Sequence, residues 1–172
     1  MSYVFCSLVK IDELDALKIN HPLFKATLLI QGAQLIEFSP ADDSKNLLWL
    51  SDQAEFKKRK SIRGGIPICW PWFGDISKNP IAIQNQYDNK DSLPAHGFAR
   101  NLDWSIVSIV ESCHNVDIEL KLTSTTDTLK IWPYEFDLKA RFSFSKHLEM
   151  QLTTTNLSAD KMHFSQALHT YL

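Results

Sequence analysis

The chain has 172 residues, of which 44% are hydrophobic and 22% are charged, and its formal net charge is -2 at pH 7. This composition is typical of a soluble globular protein, and the length predicts a single domain over residues 1–172 that can bury a sizeable core. The near-neutral charge argues against bulk attraction to nucleic acid or to a membrane surface. No apolar stretch reaches the roughly 18 residues needed to span a membrane.

Cysteine usage and the N-terminus bear on the compartment. Cys6, Cys69 and Cys113 are widely spaced and form neither a metal-ligand pattern nor a disulfide framework. The N-terminus has no basic segment followed by a long apolar run, so no signal peptide is predicted. Together these features favour a reducing, cytoplasmic location.

The first part of the chain is predicted to form short strands. Tyr3–Lys10 alternates weakly, and Glu13–Lys18 is either another short strand or a turn. Ala26–Ile30 and Leu35–Phe38 form a predicted hairpin with its turn near Gln31 and Gly32.

The next segments are less regular. Leu47–Leu50 is a candidate buried strand, and Ser51 or Asp52 is a candidate cap for one helical turn through Lys58. That turn is the only helix predicted in the first hundred residues. Ser77–Asp91 is rich in Asn, Asp, Gln and Lys and is predicted to be an exposed loop.

Beyond Arg100 the sequence alternates between apolar and polar residues. The alternation is clearest in Val116–Leu122, Phe136–Phe144 and Leu148–Leu152, and Trp104–Val110 and Phe164–Leu172 are further candidates. Successive strands joined by short turns predict antiparallel sheets, and hence an all-β sandwich.

The stretch from Ser61 to Arg100 has a different character. Its two ends, Ser61–Gly74 and Leu93–Arg100, hold four of the chain's five glycines, together with two arginines, a histidine and two tryptophans. Such a mixture suits rigid loops rather than regular elements. Loops that present Arg, His and aromatic rings are typical of a small-molecule site.

Four residues in these regions could carry chemistry. Arg63 and Arg100 could bind an anion or sugar hydroxyls, although a surface salt bridge is the ordinary role of an arginine. His96 and His169 could transfer protons near neutral pH, although a structural role is the more common one for a lone histidine. The histidine and cysteine spacings do not support a metal site.

Three aromatic residues leave a choice open. Trp70, Trp72 and Phe73 could form the floor of a sugar site, but core packing is the better reading for at least two of them. From the residues alone, the prediction is a β-rich protein with a basic and aromatic small-molecule site.

Three motifs make the chain resemble the hexose-6-phosphate mutarotases, or glucose-6-phosphate 1-epimerases, of the aldose 1-epimerase superfamily. They are Ile-Arg-Gly-Gly-Ile-Pro-x-x-Trp-Pro-Trp-Phe-Gly, Pro-Ala-His-Gly-Phe-Ala-Arg-x-x-x-Trp and Ala-Leu-His-Thr-Tyr, in the family's order. The resemblance implies a galactose-mutarotase-like β-sandwich. It also implies interconversion of the α and β anomers of a hexose 6-phosphate by acid–base ring opening, without a cofactor.

The resemblance also assigns roles to residues. His169 matches the general acid, His96 matches a second histidine that holds the sugar, and Arg63 and Arg100 match substrate-binding residues. The basic run Lys57–Lys60 is expected to add to the positive field at the entrance.

One departure from the family is important. The family's catalytic glutamate and a sugar-binding aspartate follow the histidine strand, and no residue of this sequence occupies either position. We therefore expect the chain to correspond to an N-terminal part of such an enzyme and to show little or no turnover alone. Open sheet edges and uncovered apolar faces would favour association with a second copy or leave the chain only marginally stable. The alternatives are a sugar-phosphate binding fragment without catalysis, a purely structural fragment, and an aldose 1-epimerase acting on free hexoses.

Overall fold

The architecture was obtained as a computed structural model, which describes residues 3–43, 45–88 and 90–172. The described residues form strands and a few short helices. In chain order these are β1 (Cys6–Ile11), β2 (Leu14–His21), β3 (Phe24–Leu29), β4 (Leu35–Pro40), β5 (Ile68–Cys69), α1 (Ile81–Gln84), β6 (Ser105–Glu111), β7 (Val116–Thr123), α2 (Thr126–Ile131), β8 (Phe136–Phe144), β9 (Leu148–Asn156) and β10 (Ala167–Leu168), with 3-10 turns at Ile76–Lys78, Lys90–Ser92 and Ala99–Asn101.

The strands form two antiparallel four-stranded sheets and a short pair. The first sheet has the order β1-β2-β3-β4, and the second has the order β6-β7-β8-β9. Each strand pairs with its sequence neighbour, as expected when tight turns join consecutive strands. The short pair consists of β5 and β10, which brings the end of the chain beside the middle of the sequence.

Period-two patterning explains why the sheets pack face to face. In β7 and β8 every second residue is buried, and those residues point into the space between the sheets. Phe24 of β3 stacks on Phe144 of β8 at 5.8 Å between ring centroids, which joins the two inner faces. Burial of each such side chain contributes about 1.5–3 kcal/mol. The predicted all-β antiparallel sandwich is therefore confirmed.

The predicted helical turn from Ser51 to Lys58 is wrong. Apart from a single turn closed by the Ala54 N–H and the Ser51 carbonyl at 3.0 Å, the backbone of this segment bonds to other parts of the chain. The Lys58 N–H donates to the Glu13 carboxylate, and the Glu13 N–H donates to the Phe56 carbonyl. The Arg59 N–H donates to the Gln31 side chain. Tertiary partners thus outweigh a weak local capping signal.

The segment Leu47–Leu50 is not a regular strand either. The Leu47 N–H donates to Phe38, the Trp49 N–H donates to Tyr171, and the Trp49 carbonyl accepts from Gly65. A ladder cannot form when successive residues bond to different segments. Leu48 is buried as predicted, whereas Leu47 and Trp49 are exposed.

Sequence reasoning also missed short helices. Residues 77–91, predicted as an exposed loop, include α1, and they bury Ile83 and Tyr87. The helix α2 begins at a capping box in which Thr125 and Thr128 bond to each other's backbone N–H groups. Among the described residues, no helix has the length and apolar character needed to cross a membrane.

Candidate active site

His169 lies directly after β10, and the backbone fixes the direction of its side chain. The His169 N–H donates to the Pro67 carbonyl at 3.1 Å, and the Tyr171 N–H donates to the Gly65 carbonyl at 3.0 Å. In an extended segment, alternate side chains share a face. His169 and Tyr171 therefore lie together, with 4.8 Å between their ring centroids, while Leu168 and Thr170 point to the other face.

His96 lies in a tight loop that is closed by two hydrogen bonds to Gly74. The His96 N–H donates to the Gly74 carbonyl at 2.8 Å, and the Gly74 N–H donates to Nδ1 of the His96 ring at 3.1 Å. Because Nδ1 accepts a hydrogen bond, the neutral ring carries its proton on Nε2. Burial, followed by the charges of Arg100 and His169, lowers the pKa of His96. The neutral ring can thus donate from Nε2 to a ligand.

A glycine follows His96 because the chain crosses another backbone there. Gly97 has a φ of 72° and forms a parallel bridge with Trp70. A Cβ atom at this position would lie 2.0 Å from the Trp70 carbonyl oxygen. A side chain at residue 97 would therefore displace the loop that carries His96.

The two histidines face each other across the site. Their ring centroids are 5.7 Å apart, and the ring planes differ by 23°. Phe73 contacts both rings edge-on, at 5.1 Å from His96 and 5.8 Å from His169.

The three aromatic residues Trp70, Trp72 and Phe73 differ in their exposure. Trp70 and Trp72 are fully buried in the core, whereas Phe73 is 42% exposed beside the histidines. Only Phe73 of the three is therefore accessible to a ligand, and core packing accounts for the two tryptophans.

Arg100 lies next to the histidines in a half-buried position. Its Nη2 donates to the Ala95 carbonyl at 2.8 Å, and its Nε is buried and has no hydrogen-bond partner among the described residues. Burial lowers the pKa of Arg100, although an arginine remains charged in proteins. Burial raises the pKa of the adjacent Cys69 thiol to about 11, even though Arg100 acts in the opposite direction. Arg100 thus brings positive charge to a neutral, partly dry environment.

Arg63 is connected to His169 through a row of aromatic rings. Its Cζ lies 5.8 Å from the centre of the Trp49 ring, a cation–π arrangement. Trp49 lies 5.8 Å from Tyr171, which in turn contacts His169. Sequence reasoning missed Trp49 and Tyr171 as members of the site. Only the two-residue spacing between His169 and Tyr171 could have indicated the latter.

The basic run Lys57–Lys60 is partly neutralised. Glu55 pairs with Lys57 at 2.7 Å and with Lys60 at 3.0 Å. Hydrogen bonds to Lys57 and then Lys60 lower the pKa of Glu55 to about 2. These two lysines therefore contribute less field than the sequence suggests.

In the described part of the chain, no carboxylate is paired with the charged groups of the site. Within residues 3–43, 45–88 and 90–172, no ion pair involves His96, His169, Arg63 or Arg100. The arrangement thus offers proton donors and positive charge, and it suits an anionic, hydroxyl-bearing ligand. A carboxylate base is not part of the described cluster.

A separate apolar groove lies on the other face of the terminal segment. Its volume is about 440 Å³, and Leu168, Thr170 and Leu172 line it together with Phe38 and Met150. The alternation along the segment puts His169 on the opposite side. The groove is therefore distinct from the histidine site.

Comparisons with known proteins point to one family. The family model described as aldose 1-epimerase matches residues 15–172. An Escherichia coli (strain K12) protein named "Putative glucose-6-phosphate 1-epimerase" is 42% identical over 162 residues, which is 94% of this chain and 49% of that protein.

Solved structures give the same result. The crystal structure of a "putative mutarotase (YeaD)" from Salmonella typhimurium superposes with a TM-score of 0.83 at 36% identity, covering 96% of this chain and 50% of that one. Galactose 1-epimerase from Lactobacillus acidophilus NCFM shares the fold, with a TM-score of 0.67 at 19% identity, covering 96% of this chain and 52% of that one. The chain spans about half the length of the curated relatives it matches. It belongs to the aldose 1-epimerase family.

Proposed function

We propose that this chain supplies the substrate-binding residues and the general acid of a hexose-6-phosphate mutarotase. One observation carries the proposal. His96 and His169 face each other, Arg100 lies beside His96, and a row of aromatic rings connects Arg63 to His169. Neither arginine has a carboxylate partner in the described part of the chain. The positive charge and the proton donors match an anionic sugar better than a neutral one.

The reaction needs an acid and a base acting on one sugar. The base takes the proton of the anomeric hydroxyl, and the O–H bonding pair becomes the second bond of the C1 carbonyl. The bond between C1 and the ring oxygen breaks, and the ring oxygen takes a proton from His169. The open aldehyde rotates about C1–C2, and the reverse steps close the ring as either anomer. Proton transfer by positioned groups of this kind accelerates a reaction by about 10²–10⁴-fold.

The other residues hold the sugar in this proposal. His96 donates from Nε2 to a sugar oxygen, and the exposed face of Phe73 packs against C–H groups of the ring. Arg63 and Arg100 bind the phosphate and neighbouring hydroxyls. Each charge-assisted contact of this kind is worth about 1.5–3 kcal/mol, or roughly 10- to 150-fold in affinity.

A second function, binding without catalysis, is favoured by one observation. The described residues place no carboxylate in an ion pair with either histidine, so the base of the reaction has no evident source. We therefore expect the chain alone to bind hexose 6-phosphate with little or no turnover. A site for free hexoses is the third reading, and it predicts no gain in affinity from the phosphate.

Exchange NMR of glucose 6-phosphate tests the reaction. We expect the rate of anomer exchange to rise little above the uncatalysed rate, and any increase to disappear in His169→Ala but not in the exposed-site control His114→Ala. Strong acceleration that survives His169→Ala would refute the assignment of the acid.

Tryptophan fluorescence tests binding separately. Of the five tryptophans, Trp49 is 44% exposed and the other four are at most 3% exposed. A ligand that draws Arg63 away from the Trp49 ring should change the emission of this residue in particular. We expect a saturable change with glucose 6-phosphate that is lost in Trp49→Phe and is much weaker with glucose. Equal responses to the two sugars would contradict phosphate recognition.

A further inference from the structure

A partly buried polar cluster holds the backbone of Phe73, whose ring contacts both histidines, and consists of the side chains of Asn79 and Ser165. The Asn79 Nδ2 donates to the carbonyls of Phe73 and Asp75, both at 2.9 Å. The Asn79 Oδ1 accepts from the Ser165 hydroxyl at 2.6 Å. The Ser165 oxygen in turn accepts the Phe73 N–H at 2.9 Å.

The hydrogen bonds of this Asn79–Ser165 cluster are consistent with only one placement of its protons. The single hydroxyl proton of Ser165 goes to Asn79, so the Phe73 N–H must point at a lone pair of the same oxygen. Both amide protons of Asn79 are used, which fixes the orientation of the amide. Fully satisfied networks of this kind hold their members in a single geometry.

The cluster connects the segments that carry the histidines. The Ser165 N–H donates to the Pro71 carbonyl at 3.1 Å, just before the segment that leads to His169. Phe73, held on both sides of its backbone by the cluster, precedes Gly74, whose N–H fixes Nδ1 of His96. A shift of this loop would therefore alter the His96 hydrogen bond and the contact of Phe73 with both rings.

We propose that Asn79 and Ser165 are positioning residues that set the tautomer of His96 and the spacing between the two imidazoles. Neither side chain titrates, and both act through the loop at residues 73–75 rather than by touching the sugar. The inference builds on the proposed function, because the spacing matters for a sugar that contacts both histidines. Its first consequence, the His96 tautomer, does not require any sugar.

The test compares Ser165→Ala with two matched variants of the full chain. Ser165→Thr retains the hydroxyl, and Ser158→Ala removes a different hydroxyl that accepts the Glu135 N–H at 2.6 Å. Long-range ¹H–¹⁵N correlation spectra report which ring nitrogen of His96 carries the proton. We expect the Nε2–H pattern in the unmodified protein, in Ser165→Thr and in Ser158→Ala, and a mixture of tautomers in Ser165→Ala.

Affinity for glucose 6-phosphate provides the second measurement. We expect Ser165→Ala to weaken binding by about three- to tenfold, as for the loss of one or two neutral hydrogen bonds. An unchanged His96 tautomer in a folded Ser165→Ala protein would overturn the positioning role, even if stability fell. A mixture of His96 tautomers in the control Ser158→Ala would overturn the positioning role as well.

Two further outcomes remain decisive. If Ser165→Ala does not fold, amide exchange in the unmodified protein replaces it, and rapid exchange of the Phe73 and Gly74 N–H groups would overturn the proposal. If the unmodified chain binds no hexose 6-phosphate, the proposed function fails. The tautomer comparison then still decides the role of the cluster.

Discussion

The Gly74 N–H donates to Nδ1 of His96, so the neutral ring of this histidine presents Nε2–H to the site. Protonation would place a second proton on Nδ1, opposite the Gly74 N–H. Burial, Arg100 and His169 also disfavour the charged ring and lower the pKa of His96. The residue type alone predicted a group that titrates near neutrality, whereas the surroundings favour a neutral donor at pH 7.

This geometry predicts how stability depends on pH. The folded-state pKa of His96 lies below the reference value of about 6.5, so the unfolded chain binds more protons between these two values. The free energy of unfolding should therefore rise with pH across that window and fall as the solution is acidified through it. NMR titration of the ring should give a midpoint below 6.5. Denaturant unfolding at several pH values should show that the free energy of unfolding depends less on pH in His96→Gln than in the unmodified protein.

A control for general acid effects is the exposed His114. His114→Gln should leave the pH dependence of unfolding between the folded His96 pKa and 6.5 unchanged. If the free energy of unfolding varies with pH in the same way in His96→Gln and in the unmodified protein, the pH dependence does not arise from His96.

At the scale of elements, Glu111 ties the first strand to the second sheet. Its carboxylate, at the end of β6, accepts the N–H groups of Val4 at 2.7 Å, Phe5 at 2.9 Å and Cys6 at 2.7 Å. Burial alone would raise the pKa of Glu111, but these donors outweigh it and the pKa is lowered. One side chain thus accepts the hydrogen bonds of the backbone N–H groups at the start of β1 and links the two layers of the sandwich.

Glu111→Gln should loosen this link. A neutral amide accepts more weakly, and its NH₂ group would face backbone donors, so we expect a loss of about 1–2 kcal/mol in the free energy of unfolding. Amide exchange at residues 4–6 should accelerate more than exchange in β7 and β8. In the unmodified protein the contribution of Glu111 should be lost as the pH falls through its lowered folded-state pKa. The exposed carboxylate variant Glu149→Gln should change none of these properties, and an equal effect would refute the special role of Glu111.

The outer face of the second sheet shows how strand register arranges charge. Lys121 lies directly opposite Lys139, which would be unfavourable in isolation. Carboxylates at diagonal positions reduce this repulsion between the lysines, since Lys121 pairs with Asp137 at 2.6 Å and Lys139 pairs with Glu119 at 3.4 Å. The alternation in the sequence predicted this exposed face, but the pairing depends on a register that the sequence alone did not specify.

At the scale of the whole molecule, long periodic segments were predictable and segments with distant partners were not. β7 and β8 followed from alternation, because burial of one face requires it. The helical turn predicted from Ser51 or Asp52 through Lys58 failed because Glu13 binds its backbone and Gln31 binds the N–H of the next residue, Arg59.

The same distinction applies to the candidate site. The motifs drew attention to both histidines and both arginines. Trp49 was missed, because it joins them through a backbone bond to Tyr171 and a ring contact with Arg63, both of which arise only from folding. Which imidazole nitrogen of His96 faces the site likewise depends on Gly74, a partner that spacing does not reveal.

The apolar groove beside β10 carries a prediction about assembly. β9 and β10 border it, and Leu168 and Leu47 in its wall are 37% and 43% exposed. Apolar walls and unpaired strand edges favour contact with another chain. We propose that the protein self-associates through this groove. Light scattering after size exclusion should then show a mass that rises with concentration.

Leu168→Lys places a charge in the groove, and an interface would have to bury that charge without a partner. We therefore expect the variant to remain monomeric at concentrations where the unmodified protein associates, with its circular dichroism unchanged. Leu8→Lys is the matched control, because Leu8 is 64% exposed on β1 and does not line the groove. A concentration-independent monomer for the unmodified protein would refute self-association. Equal loss in both variants would show that any exposed charge suffices, and the groove would then not be the interface.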